Sequence, residues 1–440
     1  MLEDYRKYLV IGPKCSGKSV LLASLVDWLV KRPERILPAG QSLWKQRWVG
    51  PCPGLRPFPL ERILDGARED AAWPVKTNEL SGLRLKAQRD RIWGLPPQSV
   101  VRDFIDVPGE RFADFLGSEA EGRHQSFEGW SNSVLEKFPR STDPDSVAAV
   151  KEYEELLGRK PVASGDELVD FYRKKVLAPA AARYRYLLTP STAVHDPDDP
   201  GSRSTAPPDR FAPLPLRFEK GHDATRRKFA AAFAEYQQEV IHPLRRMIYE
   251  ADGIVLTVDP SWILGAGASL LPDQLTLLRA FATYLRSMET WMKHLLRFFW
   301  HPLAPGSGPG RLRSIVLCGT KADVFLPADA SRLEDLLETF YRDVANAAQV
   351  DRIGVSRVVV AAMRATHLNE SKPESLFGYR DGEEREVRPS RVPLQWPEDW
   401  QEGAYRFAVG FEPRVPRNGL YPPRQQNLDL LFRRLEGGGR

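Results

Sequence analysis

The sequence contains few cysteines and histidines, and this scarcity limits the kinds of site it can build. Its three cysteines, Cys15, Cys52 and Cys318, form no C-x-x-C pair, so a reducing cytoplasm is the natural compartment. The seven histidines are dispersed, without H-x-x-x-H or carboxylate spacing. This dispersion argues against a metal site built from protein ligands alone.

Long apolar runs and a large charge excess are also missing. No apolar stretch approaches the roughly 18 residues of a membrane span, and the start MLEDYRKYLVIG lacks a signal-peptide pattern. We therefore expect a cytoplasmic protein with no membrane span of its own. The net charge is +5 over 440 residues, and arginine is scattered. We interpret this as a solvated surface with no nucleic-acid partner, the alternative being an acidic membrane face or partner.

Short apolar runs rich in β-branched residues predict buried parallel strands. They are YLVIG (8–12), VVRDFIDV (100–107), GIVLTVD (253–259), SIVLCGT (314–320) and RVVVAA (357–362). Helical stretches separate these runs, so the sequence predicts an α/β fold with a mostly parallel sheet and helices on both faces. LRLKA alternates apolar and charged residues and predicts an edge strand over 83–87.

A long segment without predicted strands interrupts this alternation. No strand is predicted between Gly109 and Gly253, and we expect a helical insertion domain over residues 110–250. Its helical patterns cover residues 143–157, 165–176 and 223–250.

The remaining chain divides into a discontinuous domain and a C-terminal segment. The predicted nucleotide-binding domain spans residues 1–109 and 251–370. Residues 371–440 are proline-rich and predicted to be loop-like up to a terminal helix over 427–435, packed on that domain. Apolar residues also recur at helical spacing over 273–299, which predicts a long helix that packs on the core or binds a partner.

The octapeptide GPKCSGKS fits the pattern G-x-x-x-x-G-K-[ST] and lies between a predicted strand and a predicted helix. In such loops, backbone N–H groups point into a concavity at a helix N-terminus, where the dipole favours negative charge. Lys18 would reach the β- and γ-phosphates, and the Ser19 hydroxyl would bind Mg²⁺. The candidate phosphate-binding residues are Gly12, Lys14, Cys15, Ser16, Gly17, Lys18, Ser19 and Val20.

A magnesium carboxylate is predicted in VVRDFIDVPGE, where Asp106 ends a strand and begins the pattern D-x-x-G. Gly109 would then offer its backbone N–H to the γ-phosphate. Thr77 is the lone threonine between Ser19 and Asp106, and we predict it as a further metal ligand, the alternative being a surface hydroxyl. The other D-x-x-G matches fall in predicted helix or loop, at Asp114, Asp198 and Asp351.

The base is predicted to bind at VLCGTKAD, which follows a strand. Asp323 would accept hydrogen bonds from the ring N–H and the amine of guanine, whereas adenine offers no donor there, which disfavours an ATPase. Thr320 stands where asparagine is more usual, which we expect to loosen the tie between loops. AAMRAT (361–366) would lend a backbone N–H to the guanine carbonyl. The predicted guanine-binding residues are Thr320, Lys321, Asp323, Ala362 and Met363.

Slow hydrolysis is predicted from Glu110, which follows D-x-x-G where many GTPases keep a glutamine. A glutamate could orient water too. Its negative charge would face an anionic phosphate, however, so intrinsic turnover should be slow. The candidate catalytic residues are Lys18, Gly109 and Glu110. Two hypotheses stay open, a GTPase switch and a GTP-bound scaffold with negligible turnover.

The predicted insertion begins directly after Glu110, and it has two possible roles. It is either the surface that reads out the switch or the source of an activating arginine. The nearest candidate arginines are Arg111, Arg123 and Arg140.

The order of these motifs is that of a guanine-nucleotide-binding domain, and in detail the sequence resembles the YcjX-like stress-associated P-loop GTPases of bacteria. The resemblance rests on GPKCSGKS, DVPGE, CGTKAD, AAMRAT and the proline-rich tail. It implies a cytoplasmic protein that binds GTP, GDP and Mg²⁺. It also implies a membrane-embedded partner, through which the protein would be peripheral to the inner membrane. The sequence departs from the family at Ser19, where threonine is more frequent, and at Arg111-Phe112, where an aromatic residue more often comes first.

Overall fold

The structure is a computed structural model, and it describes most of the chain. The described residues are 3–36, 45–74, 79–89, 98–120, 123–124, 126–137, 144–179, 210–218, 220–268, 270–298, 312–348, 353–416 and 420–437. Within them, the strands are β1 Glu3–Ile11, β2 Lys45–Pro51, β3 Arg56–Pro57, β4 Ser81–Arg89, β5 Gln98–Asp106, β6 Glu119–Ala120, β7 Arg123–His124, β8 Gly253–Val258, β9 Ser314–Gly319, β10 Gly354–Val359, β11 Thr366–Asn369, β12 Lys372–Arg380 and β13 Glu383–Val387.

Helices follow several strands of the main sheet, and helices also make up most of the described residues between β7 and β8. They are α1 Lys18–Lys31, α2 Pro33–Ile36, α3 Leu60–Glu69, α4 Gly109–Ser118, α5 Phe127–Lys137, α6 Pro144–Gly158, α7 Gly165–Phe171, α8 Asp223–Tyr236, α9 His242–Glu250, α10 Pro260–Ala266, α11 Leu270–Phe298, α12 Ala330–Ala348 and α13 Leu428–Leu435. Two π-helical turns, Tyr172–Leu177 and Gln237–Ile241, continue α7 and α8. No helix of the described chain is both long and apolar enough to cross a membrane.

The main sheet is mixed but mostly parallel, and β1 lies inside it. The strand order is β10-β9-β8-β1-β5-β4-β2, with β3 paired to β4. The first five strands of this order are parallel, and β4 and β2 each run antiparallel to their neighbour. The carboxyl ends of β1, β5, β8, β9 and β10 therefore meet at one edge of the sheet, which is where ligands bind in α/β folds.

Helices cover both faces of this sheet, as predicted, and the protein has the α/β fold of P-loop NTPases. One face packs against α1, α3 and α13 in a core that includes Leu22, Phe104, Val316 and Phe432. On the other face, α12 packs so closely on β9 that a Cβ added to Gly319 would lie 2.8 Å from Leu337. The apolar runs of the parallel strands are thus explained by burial on both sides.

The prediction that 83–87 forms an edge strand is wrong. β4 lies between β5 and β2, and β2 is the outer strand. The alternation arises because Leu83 and Leu85 point into the core while Arg84 and Lys86 lie on the other face. A neighbouring strand binds through backbone groups, so the side-chain pattern does not distinguish an inner strand from an edge strand.

The chain forms two compact units. The first comprises Met1–Pro108, Ile248–Pro272 and His294–Arg440, and it contains the main sheet. The second comprises Gly109–Met247 and Asp273–Lys293.

The second unit is mainly helical and has an aromatic core of its own. The ring of Trp130 stacks on Phe233 at 5.1 Å between centroids and meets the edge of Phe211 at 5.3 Å. Phe281 of α11 packs against Phe112 at 5.8 Å. The long helix predicted over 273–299 is present, and the described residues of its predicted apolar face are buried: Leu278, Phe281 and Leu285 are each at most 2% exposed.

The C-terminal segment contains a small sheet that the sequence analysis missed. β11, β12 and β13 form a three-stranded antiparallel sheet, so the prediction of loop structure over residues 371–440 is wrong for β12 and β13. The turn between β12 and β13 is Asp381-Gly382, with φ of 54° and 75°, and Arg380 pairs with Glu383. Asp-Gly is a strong signal for such a hairpin, but these strands are polar and largely exposed, so they lack the apolar runs that predicted the others. The terminal helix α13 is confirmed.

Candidate functional site

The loop of residues 12–19 joins β1 to α1 at the carboxyl edge of the main sheet. Gly12 and Gly17 have φ of 147° and 79°, and Cys15 has φ of 60°. A Cβ on Gly12 would lie 2.2 Å from Thr257 Oγ1 and 2.6 Å from the Thr257 carbonyl oxygen. Only glycine fits there, because any side chain would collide with the end of β8.

Buried hydroxyl groups fix this loop against two neighbouring strands. Ser16 Oγ donates to the Pro13 carbonyl at 2.8 Å and lies 2.6 Å from Thr257 Oγ1. Thr320 Oγ1, which follows β9, lies 2.9 Å from the Ser16 carbonyl and 3.2 Å from the Val258 carbonyl. The threonine thus makes a tie between the loops, although asparagine is more usual at its position.

Lys18, Ser19 and Asp106 converge where the loop enters α1. Lys18 is 6% exposed, and its Nζ donates to the Pro13 carbonyl at 2.5 Å. Ser19 Oγ donates to Asp106 Oδ2 at 2.5 Å. Asp106 is the last residue of β5 and is fully buried. The parallel pairing of β1 with β5 brings this carboxylate beside the loop.

The oxygens of Ser19 and Asp106 suit a magnesium ion. Hydroxyl and carboxylate oxygens are hard ligands of the kind Mg²⁺ prefers, and the ion usually takes one or two of them together with phosphate and water. With metal–oxygen bonds of about 2.0–2.1 Å, neighbouring oxygens of an octahedral shell lie about 2.9 Å apart. The observed separation of 2.5 Å needs to open only slightly. These residues therefore fit the ion.

The TKAD loop is held by an ion pair. Lys321 adopts a left-handed backbone conformation with φ of 59°, and its Nζ lies 2.6 Å from Asp259 Oδ2. Asp259 also begins α10, where its Oδ1 accepts hydrogen bonds from Ser261 Oγ and the Trp262 N–H. Burial opposes the charge on Lys321, but the Asp259 carboxylate more than offsets this and raises the pKa of Lys321 above its ordinary value.

Asp323 is buried in a short 3₁₀ turn and is positioned by the loop that follows β10. Its Oδ2 accepts a hydrogen bond from the Ala365 N–H at 2.7 Å, and Thr366 Oγ1 donates to its carbonyl. Burial raises the pKa of Asp323, and the Ala365 N–H opposes that shift by stabilising the carboxylate. A buried carboxylate positioned in this way can select a ligand that offers matching donors.

The loop over 361–366 is tied to its surroundings at several points. Ser24 Oγ of α1 donates to the Ala362 carbonyl, and the Ala361 N–H donates to the Gln426 carbonyl at 3.2 Å. The Met363 side chain is 2% exposed and belongs to the core. The assignment of an N–H of Ala362 or Met363 to the guanine carbonyl stays a prediction.

Three residues that contact the predicted site escaped the sequence analysis: Thr257, Asp259 and Ala365. The first two lie at the end of β8, in GIVLTVDP. Polar residues at the carboxyl end of an otherwise apolar strand were the available signal, together with the Asp-Pro start of a helix. Ala365 contributes only its backbone, which no side-chain pattern reveals.

The remaining predicted residues are not tested as ligands by the structure. Thr77 and Arg140 lie outside the described residues, and only the backbone of Arg123 is described, in β7. Gly109 and Glu110 begin α4, in the second unit. The other loop residues are placed but untested as ligands: Lys14 and Val20 are half-buried, and Cys15 is exposed.

Comparison with known protein families gives a match. The family described as "YcjX-like family, DUF463" matches residues 9–437, nearly the whole chain. No curated protein matches the sequence.

Proposed function

Because the chain belongs to the YcjX-like family, and because polar residues converge at the sheet edge, we propose that it is a Mg²⁺-dependent GTP-binding protein that hydrolyses GTP slowly as a conformational switch. The observation that carries the proposal is the contact of Ser19 Oγ with Asp106 Oδ2 at 2.5 Å, beside the buried ammonium of Lys18. A hydroxyl, a carboxylate and a lysine at the end of a glycine-rich loop are the groups that a metal-bound triphosphate requires.

In this proposal, each group has a separate task. The backbone N–H groups of the loop 12–19 and the Lys18 ammonium bind phosphate oxygens. Ser19 and Asp106 hold Mg²⁺, which neutralises phosphate charge when bound. Lys18 now donates to the Pro13 carbonyl, so binding exchanges that bond for a charge-assisted one to phosphate.

The base assignment rests on the environment of Asp323. The residue is 6% exposed and its carboxylate accepts the Ala365 N–H, so it is held in place before a base arrives. Guanine offers two donors to such a carboxylate, and adenine offers none at the matching positions. This favours GTP over ATP.

A nucleotide competition experiment tests the base assignment. A fluorescent GTP analogue is bound to the protein and displaced with GTP, ATP or xanthosine triphosphate. We expect GTP to compete far better than ATP. Asp323→Asn should weaken GTP by about 2–4 kcal/mol, since it removes a charge-assisted bidentate contact, and should favour xanthosine triphosphate. Lys18→Ala serves as the control that weakens all triphosphates. Equal competition by ATP and GTP in the unaltered protein would overturn the assignment.

Slow turnover is expected from Glu110, which follows the D-x-x-G motif where many GTPases keep a glutamine. Without an activating arginine, basal turnover should be about 10⁻⁴–10⁻² s⁻¹. We favour the readout role for the helical unit over an activating arginine, because a slow switch needs a partner and a helical domain offers a surface for one.

Single-turnover hydrolysis of labelled GTP separates these roles. A variant with alanine at Arg111, Arg123 and Arg140 should keep the slow basal rate. Turnover on the order of 1 s⁻¹ that collapses in this variant would contradict the readout role. Tight GTP binding with no hydrolysis would favour the alternative function, a GTP-bound scaffold. The family resemblance alone supports the remaining part of the proposal, a bacterial stress response with a membrane-embedded partner.

A further inference from the structure

The Ser81 hydroxyl is buried and lies across a strand pair from the proposed cation site. Ser81 is the first residue of β4 and is 5% exposed. Its Oγ has no hydrogen-bond partner in the part of the chain that the structure describes. Burying a hydroxyl without a partner costs free energy. This group therefore destabilises the folded chain unless a ligand binds it.

The register of the sheet places Ser81 beside Asp106. In the antiparallel pair of β4 and β5, Ser81 is directly opposite Asp106, and Leu83 is opposite Phe104. Side chains at opposite positions lie on the same face, with Cβ atoms about 4.5–5.5 Å apart. Leu83 and Phe104 belong to the core that α1 covers, so Ser81 lies on the face from which Ser19 reaches Asp106.

We infer that Ser81 is a positioning residue of the cation site, where its hydroxyl binds a water molecule of the Mg²⁺ held by Ser19 and Asp106. This inference rests on the proposed function. Mg²⁺ keeps several of its waters in proteins. Since opposite Cβ atoms lie about 4.5–5.5 Å apart, a water on the ion would bridge the gap between Ser81 and the cation held by Asp106. The proposed role of Ser81 does not require Thr77, which was predicted above as a direct ligand of the ion.

A magnesium titration tests the inference. Binding of a fluorescent GTP analogue is followed as Mg²⁺ is added to the full-length protein. Partners that orient a metal shell typically change affinity by about 10–100-fold, so Ser81→Ala should raise the half-saturating Mg²⁺ concentration at least about ten-fold. Ser81→Thr keeps the hydroxyl and should restore most of the affinity.

Thermal unfolding of the nucleotide-free protein supplies a second, independent readout. Since Ser81 Oγ has no partner, Ser81→Ala should leave the unfolding midpoint unchanged or raise it. Ser99→Ala is the matched control: Ser99 is a fully buried serine on β5, at the other end of the strand and already engaged in the folded chain. That variant should lower the midpoint and leave the Mg²⁺ requirement unchanged.

The outcomes separate the two proposals. If the unaltered protein shows no Mg²⁺-dependent GTP binding, the proposed function fails. If it binds but Ser81→Ala keeps the normal Mg²⁺ requirement, or lowers the midpoint as Ser99→Ala does, the inference about Ser81 is overturned.

Discussion

Lys321 Nζ lies 2.6 Å from Asp259 Oδ2, and the two residues follow the ends of two neighbouring parallel strands, β9 and β8. Asp259 is 3% exposed, whereas the Lys321 side chain is 40% exposed. The buried partner therefore fixes the direction of a side chain that would otherwise move in solvent. The loop that carries Asp323 is thus oriented by a residue outside its own motif.

Asp259→Asn should weaken GTP binding without unfolding the protein. Asparagine caps a helix about as well as aspartate, so the start of α10 should be kept while the ion pair is lost. Because Lys321 is partly exposed, we expect a loss near the upper limit for such pairs, about 1 kcal/mol or roughly five-fold in affinity. The measurement is a titration with a fluorescent GTP analogue. A lower unfolding midpoint with unchanged affinity would mean that Asp259 serves only the fold.

Cys15 should be the fast-reacting thiol of the native protein. It is exposed, while Cys52 and Cys318 are buried, and burial raises the pKa of Cys52 to about 12, which leaves little reactive thiolate. Intact-mass analysis after brief exposure to a maleimide should give one adduct. GTP with Mg²⁺ should slow this labelling, because Cys15 belongs to the loop 12–19, and ATP should protect less. If GTP with Mg²⁺ does not change the rate of Cys15 labelling, the result would argue against phosphate binding at this loop.

Asp323→Asn should stabilise the nucleotide-free protein at neutral pH. The pKa of Asp323 is raised in the folded state by burial, so the folded protein holds this proton more tightly than the unfolded chain. The bound proton therefore stabilises the folded state at pH values below the unfolded pKa. This stabilisation is lost as the pH rises through the folded pKa. At neutral pH, well above the unfolded pKa, this stabilisation is reduced or lost and the buried acid destabilises the fold, and asparagine removes this cost.

Unfolding midpoints across a pH series check this prediction. The advantage of the asparagine variant over the unaltered protein should shrink as the pH falls into the range where Asp323 binds its proton. A variant that is less stable than the unaltered protein at neutral pH would contradict it.

Glu436→Gln should weaken the packing of the terminal helix α13 on the sheet and destabilise the fold. Glu436 Oε1 accepts from Arg102 Nε and from Tyr8 OH, each at 2.7 Å, and its Oε2 accepts from Arg6 at 2.7 Å. Burial works against the carboxylate, but the two arginines outweigh it and hold the pKa of Glu436 below its usual range. Removing this charge leaves the Arg102 guanidinium buried and uncompensated, at a cost of about 3–5 kcal/mol.

Urea unfolding measures the effect, with Asp429→Asn as the matched control on the same helix. Asp429 pairs with Arg433 at partly exposed positions, so its loss should cost less than about 1 kcal/mol. Because the folded pKa of Glu436 is depressed, its contribution should be present above the unfolded pKa and lost as pH falls through the folded pKa. Similar losses for the two variants would contradict a structural role for the Glu436 cluster.

The sequence by itself determined the α/β fold, the positions of the parallel strands and the glycine-rich loop. These are local properties: a strand buried on both faces must be apolar along its length, and the path through Gly12 excludes a side chain. It also placed Asp106 correctly at the end of its strand. Residues whose position follows from their own strand or loop could be placed without a structure.

Only the tertiary structure decided which distant residues meet. The pairing of β4 with β5 puts Ser81 opposite Asp106, and the parallel register of β8 and β9 brings Asp259 to Lys321. The inner position of β4 and the small sheet over 366–387 likewise depend on backbone pairing. Strand register and neighbour choice are set by backbone hydrogen bonds and by packing between segments far apart in the chain, and no single stretch of sequence records them.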